Sequence, residues 1–141
     1  MSQGPSPLLP RCTWVLVVLY FVASLAHFAH NAEYIAFYPG MPAWLTSEKV
    51  YVAWLGVTCV GVVALALFRF GLPVLAALAL GIYGALGLDG LAHYTLALCS
   101  EHTAWANITI WSEAATGVLL LVVCFLAVGR RLLPAVAGRE A

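Results

Sequence analysis

Near the end of the first apolar stretch, His27, His30 and Glu33 fall within seven consecutive residues. On a helix this run offers two imidazoles and a carboxylate within two turns. Tyr20, Ser24, His27, Asn31 and Tyr34 recur at spacings of four, three, four and three, which lines them on one helical face directed into the bundle. Farther along, Asp89 and His93 are four residues apart and on a continuous helix share a face. Glu113 lies inside the final apolar stretch, about one and a half turns past Asn107. Ionisable groups inside a membrane segment cost a few kcal/mol each and are usually paired or functional. Imidazole and carboxylate together suit zinc, iron or copper, and three protein ligands with an open position suit catalysis. The candidate ligands are His27, His30 and His93, with Glu33, Asp89 and Glu113 as the carboxylates that complete, orient or act beside them. A metal-free version of the same cluster stabilises a cationic intermediate or shuttles a proton, as in membrane sterol isomerases. Two further readings stay open: passage of protons or small ions along the polar stripe, and plain interhelical hydrogen bonding in an assembly subunit.

The elements that must position these residues are apolar. Of 141 residues, 64% are hydrophobic and 9% charged, and the mean hydropathy is +0.99, far outside the range of a soluble domain. Spanning helices accommodate such a composition, because lipid solvates the side chains while each helix satisfies its own backbone. Four runs, 13–36, 50–68, 72–98 and 108–128, are each near or above the roughly 20 residues that cross a bilayer. This predicts an all-α, four-helix transmembrane bundle with antiparallel up-down topology over 13–129. It is flanked by an irregular tail at 1–12 and a basic tail at 130–141. Ser24-Leu25-Ala26 resembles a signal-peptide cleavage site, but the apolar periodicity continues past it and the first run reads as a span. Pro39-Gly40 and Pro42 stop the first helix, Thr46 caps the second, and Arg69-Phe70-Gly71 makes a tight hairpin. Gly81, Gly84, Gly87 and Gly90 give the third helix a narrow side suited to close helix approach, a candidate face for homo-oligomers. The four cysteines show no C-x-x-C spacing and predict no disulfide framework.

Net charge is zero, which predicts no nucleic-acid partner and leaves membrane lipid as the expected neighbour. The charges are nonetheless unevenly placed. Arg11, Arg69, Arg130, Arg131 and Arg139 fall on the tails and the second connection, and only Lys49 falls on the first. The positive-inside bias therefore puts both termini in the cytoplasm. Glu33, Glu48, Asp89, Glu101 and Glu113, with all four histidines, then gather toward the outward ends, flanked by a belt of Phe37, Tyr38, Trp44, Tyr51, Trp105 and Trp111. A bacterial inner membrane is the expected location. Asn107-Ile108-Thr109 would be a glycosylation sequon in a eukaryotic host.

His30-Asn31-Ala32-Glu33-Tyr34, followed by Pro39-Gly40 and Trp44, resembles the His-Asn-x-Glu-Glu stretch of the HXXEE family of small bacterial membrane proteins. Asp89 to His93 resembles that family's later polar-x-x-x-His motif, and Tyr34 stands where the family has its second glutamate. The resemblance implies a matching four-helix layout along most of the chain and membrane-bound metal enzymology, with His30, Glu33 and His93 as the first residues to test. The leading expectation is thus an outward-facing His/carboxylate site in a metal-dependent membrane enzyme acting on a lipid or other apolar substrate.

Overall fold

The computed structural model describes residues 8–137, and these are helical with no strand among them. Helix α1 spans Cys12–Glu33, α2 Ser47–Arg69, α3 Pro73–Leu86, α4 His93–Leu96 and α5 Ala104–Ala137, with short 3-10 turns at Ile35–Phe37, Asp89–Ala92 and Cys99–Glu101. Four segments are long and apolar enough to cross a membrane: Cys12–Glu33, Ser47–Arg69, Pro73–Leu96 and Ala104–Leu132. Their outer faces carry Val15, Val18, Leu19 and Val22 on α1, Val52, Leu55 and Val62 on α2, and Leu119 and Phe125 on α5, all exposed. So large an uncovered apolar surface is at home in lipid and not in water. The architecture is that of a multi-pass membrane protein.

Local chemistry sets the helix ends. The Thr46 hydroxyl accepts the Lys49 amide at 3.4 Å and caps α2. Gly71, at φ +73°, turns the chain tightly between α2 and Pro73, which opens α3. Thr103 accepts the Ala106 amide at 3.1 Å at the start of α5. Trp14 meets Phe68 with ring centroids 5.4 Å apart, while the Tyr51 hydroxyl donates to Glu33 Oε1 at 2.8 Å, so the start of each of α1 and α2 lies beside the end of the other.

Packing centres on α3, α5 and α1. A Cβ on Gly84 would stand 2.6 Å from the Gly117 carbonyl oxygen and 3.1 Å from the Leu121 amide nitrogen, so α3 and α5 touch backbone to backbone. The glycine face of the third span is thereby taken up within one chain. One half of the bundle is filled by Ala64, Ala77, Leu80, Leu120, Cys124, Ala127 and Val128.

Two elements depart from the sequence reading. The third span is not one continuous helix: α3 ends at Leu86, and a 3-10 turn over Asp89–Ala92 leads into the single turn of α4. Gly87 and Gly90, with Asp89 between them, are poor helix formers and give way there. Helix α5 continues beyond Val128 through Arg130 and Arg131 to Ala137. The expected tail residues 1–7, Arg139 and Glu140 lie outside the described residues.

Candidate functional site

The polar stripe of α1 turns inward. Tyr20, Ser24, His27 and Asn31 are all buried, as four-three-four spacing requires of a single face. Tyr34 leaves the series and is 50% exposed, because α1 ends at Glu33 and the chain turns into the 3-10 segment there.

Glu113 faces this stripe from α5 and is only 1% exposed. Its Oε2 lies 3.7 Å from His27 Nε2, longer than a hydrogen bond but within reach of one after a small shift. Neither carboxylate oxygen has a hydrogen-bond partner within the protein, nor do His27 Nδ1, Tyr20 Oη and Ser24 Oγ. Most buried polar groups in proteins are satisfied, so a group of unpartnered atoms this dense is uncommon. The broken third span lays a glycine against them. A Cβ on Gly90 would lie 3.3 Å from Glu113 Oε2 and 3.5 Å from His27 Nε2, so the acid and the imidazole pack against bare backbone.

A second layer lies beyond His27. The rings of His27 and His93 are 5.4 Å apart. The Asn31 amide donates to His93 Nε2 at 3.2 Å, which leaves the proton of a neutral His93 on Nδ1, where it has no partner. Tyr38 packs on His93 at 5.0 Å between centroids, and its hydroxyl is 2.7 Å from His30 Nδ1. Burial pushes the Tyr38 phenol up to about 12. His102 closes the layer, 6.1 Å from the His93 ring, with its Nδ1–H donating to the Leu98 carbonyl at 3.0 Å. Below Glu113, Tyr20 and Tyr83 stack edge to face at 4.6 Å, and the apolar half of the bundle begins.

The candidate residues therefore separate into those the fold brings together and those it does not. His27, His93 and Glu113 converge. His30 turns toward Tyr38 and lies 4.8 Å from the Tyr34 ring. Glu33 is exposed and held by Tyr51. Asp89 is exposed, on the 3-10 turn before His93, and lines a small cavity together with Asn31 and His93. Of the expected ligands, His27 and His93 stand side by side while His30 bonds Tyr38, and among the described residues no group of three or more His, Cys, Asp or Glu is arranged to hold a metal ion.

Two residues of the cluster were not among the candidate site residues. Tyr38 belongs to an aromatic belt by position, yet it is 5% exposed and joins His30 to His93. His102 reads as a loop residue and is buried. No local pattern marks either one, since each is brought in by a turn. The Asn107 side chain of the sequon accepts the Tyr94 hydroxyl at 2.8 Å and donates to the Cys99 carbonyl at 3.0 Å, so its amide is already engaged in closing the loop before α5.

No family model, curated protein or solved structure matches the chain. The functional reading rests on the geometry.

Proposed function

We propose that this chain is a metal-free acid–base enzyme of the membrane, in which Glu113 and His27 exchange protons with an apolar, lipid-like substrate. The observation that carries the reading is Glu113 itself: a carboxyl group 1% exposed among membrane helices, with both oxygens unpartnered and an imidazole 3.7 Å away. A group so costly to bury is kept for a role. His93, Asn31 and Tyr38 extend the pair toward His30 and the edge of the bundle. The reaction class is an isomerisation: one proton is added to the substrate at one carbon and another is lost from a second carbon, so the acid and base are restored and no redox partner is consumed.

Leu80, Leu120 and Cys124 fill the space beyond Tyr20 and Tyr83, and Thr13 near the start of α1 is the next buried polar residue along that helix. That supports chemistry at a closed end over ion passage through the bundle. The charge asymmetry supports an orientation with both termini in the cytoplasm and the site toward the outer face.

The test uses purified protein reconstituted with a total lipid extract in D2O, with mass spectrometry following deuterium fixed on carbon. The native chain labels one lipid class, and Glu113→Gln lowers the rate by about 10²–10⁴-fold, the usual worth of a general acid or base. If no lipid gains carbon-bound deuterium, or Glu113→Gln labels as fast as the native chain, the proposal fails.

A further inference from the structure

A cavity of about 550 Å³ lies between the end of α1 and the start of α5, lined by His30, Tyr34, Phe37, Tyr38, Thr103 and Trp105. Its size falls within the roughly 300–1,000 Å³ of small-molecule sites. The lining has an unusual charge profile for a pocket at the polar end of a membrane bundle: Tyr34, Phe37, Tyr38 and Trp105 supply aromatic faces, every lining side chain but Phe37 can hydrogen-bond, and there is no lysine, arginine, aspartate or glutamate. A phosphate head would find no cation to pair with, and an amine would find no carboxylate.

The polar groups that are present define what fits. The Tyr38 hydroxyl and His30 Nδ1 already bond each other at 2.7 Å, which leaves the His30 Nε2 edge for a ligand. Thr103 accepts the Ala106 amide at 3.1 Å and keeps its own O–H to give. The site thus suits one small head that both donates and accepts, on a body that packs against aromatic faces. Phe37 and Trp105, 72% and 67% exposed, stand at the rim, where aromatic side chains meet the membrane interface.

We propose that this cavity binds a membrane lipid alcohol, its hydroxyl between His30, Tyr38 and Thr103 and its hydrocarbon body against Tyr34, Phe37 and Trp105. This names the substrate class for the proton-transfer reading and rests on that reading for calling the ligand a substrate. The link is structural, since Tyr38 touches both the cavity lining and His93. From His93 the contacts run through His27 to Glu113.

The experiment is photolabelling of the full chain in phosphatidylcholine nanodiscs with three diazirine probes of equal chain length: a lipid alcohol, a phosphatidylcholine and an alkyl trimethylammonium. Labelled peptides are mapped by mass spectrometry. The alcohol labels the segment containing Tyr34 and Phe37, or that containing Trp105, and excess unlabelled alcohol competes it away. Trp105→Ala, at an exposed rim position where folding is little affected, lowers labelling at least fivefold. Tyr38→Phe lowers it about three- to tenfold, as expected for one lost hydrogen bond. Phe125→Ala, on the opposite part of α5, leaves it unchanged. Equal or stronger labelling of this cavity by the phosphatidylcholine or ammonium probe overturns the assignment, as does alcohol labelling that maps elsewhere or survives Trp105→Ala. Labelling reports binding alone. A negative result beside Glu113-dependent deuterium exchange therefore sinks the cavity assignment and spares the chemistry, while the reverse pattern sinks the chemistry.

Discussion

Tyr38 is the residue whose environment makes the sharpest claim about pH. It sits in the connection after α1, outside the four spans, with its ring buried against His93 and its hydroxyl on His30. Burial raises its phenol from 10.0 to about 12. The folded chain thus holds a proton that the unfolded chain releases between those values, and stability falls with rising pH wherever the native state binds more protons. The contribution is fully present below pH 10 and is lost as pH rises through 12. Tyr38→Phe has no proton to lose, so its alkaline unfolding curve in detergent, followed by tryptophan fluorescence, is flatter between those limits than the native curve. At neutral pH the same variant is less stable by about 0.5–1.5 kcal/mol, the usual net worth of one hydrogen bond. Parallel native and variant curves across pH 10–12 would show that the ring is not buried as described. The buried stripe of α1 was legible from residue spacing alone, because a four-three-four pattern has only one helical meaning. Tyr38 was not, because its burial depends on where the turn after Glu33 returns the chain.

At the scale of elements, the close approach of α3 and α5 is the contact on which the site's geometry depends. Gly84 and Gly117 meet across it, and a Cβ on either runs into the other's backbone. Backbone cannot move aside as a side chain can, so Gly84→Ala forces the helices apart, with a loss of about 1–3 kcal/mol typical of overpacking. Gly56 on α2 has nothing within 4 Å of its Cβ position. There alanine only improves helix propensity, a change of roughly 0.5–1 kcal/mol in the stabilising direction. Reversible unfolding in mixed micelles compares the two, and a Gly84→Ala protein as stable as the native chain would contradict the observed apposition. The sequence showed that glycines narrow the third span, since their spacing is visible there. Which helix fills the narrow side was not visible, because the partner lies far along the chain and the choice is made by packing. The break at Gly87–Ala92 was hidden for another reason: the mean apolar content of 72–98 stays high despite Asp89 and His93, so hydropathy sees one span while the backbone takes two pieces. That break sets Asp89 on a 3-10 turn and His93 on the short helix after it, where His93 faces His27.

For the molecule as a whole, the four spans were plain from the apolar runs, because no other fold accommodates so much exposed hydrocarbon, whereas their sense in the membrane depends on the distribution of six charges. The native cysteines provide a direct reading of that sense. All four are free; Cys12 and Cys99 are exposed near the ends of spans, Cys59 is exposed within α2, and Cys124 is buried. Three spans lie between Cys12 and Cys99, so these two thiols belong on opposite sides of the membrane. With both termini in the cytoplasm, a membrane-impermeant maleimide applied to intact spheroplasts labels a single-cysteine variant retaining Cys99. A variant retaining only Cys12 becomes reactive only after permeabilisation. The reversed pattern would mean that the arginines do not set the orientation, and the aromatic cavity beside His30 would then draw its ligand from the inner leaflet. Labelling of both from one side would mean that one segment does not cross, and the segment to suspect is Pro73–Leu96, whose helix is already interrupted in the middle. A failed crossing there would withdraw His93 from the pocket along with the α4 turn that carries it. The labelling pattern thus tests whether His93 and Glu113 can share one depth in the bilayer, which the acid–base pair and its extension to the bundle edge both require.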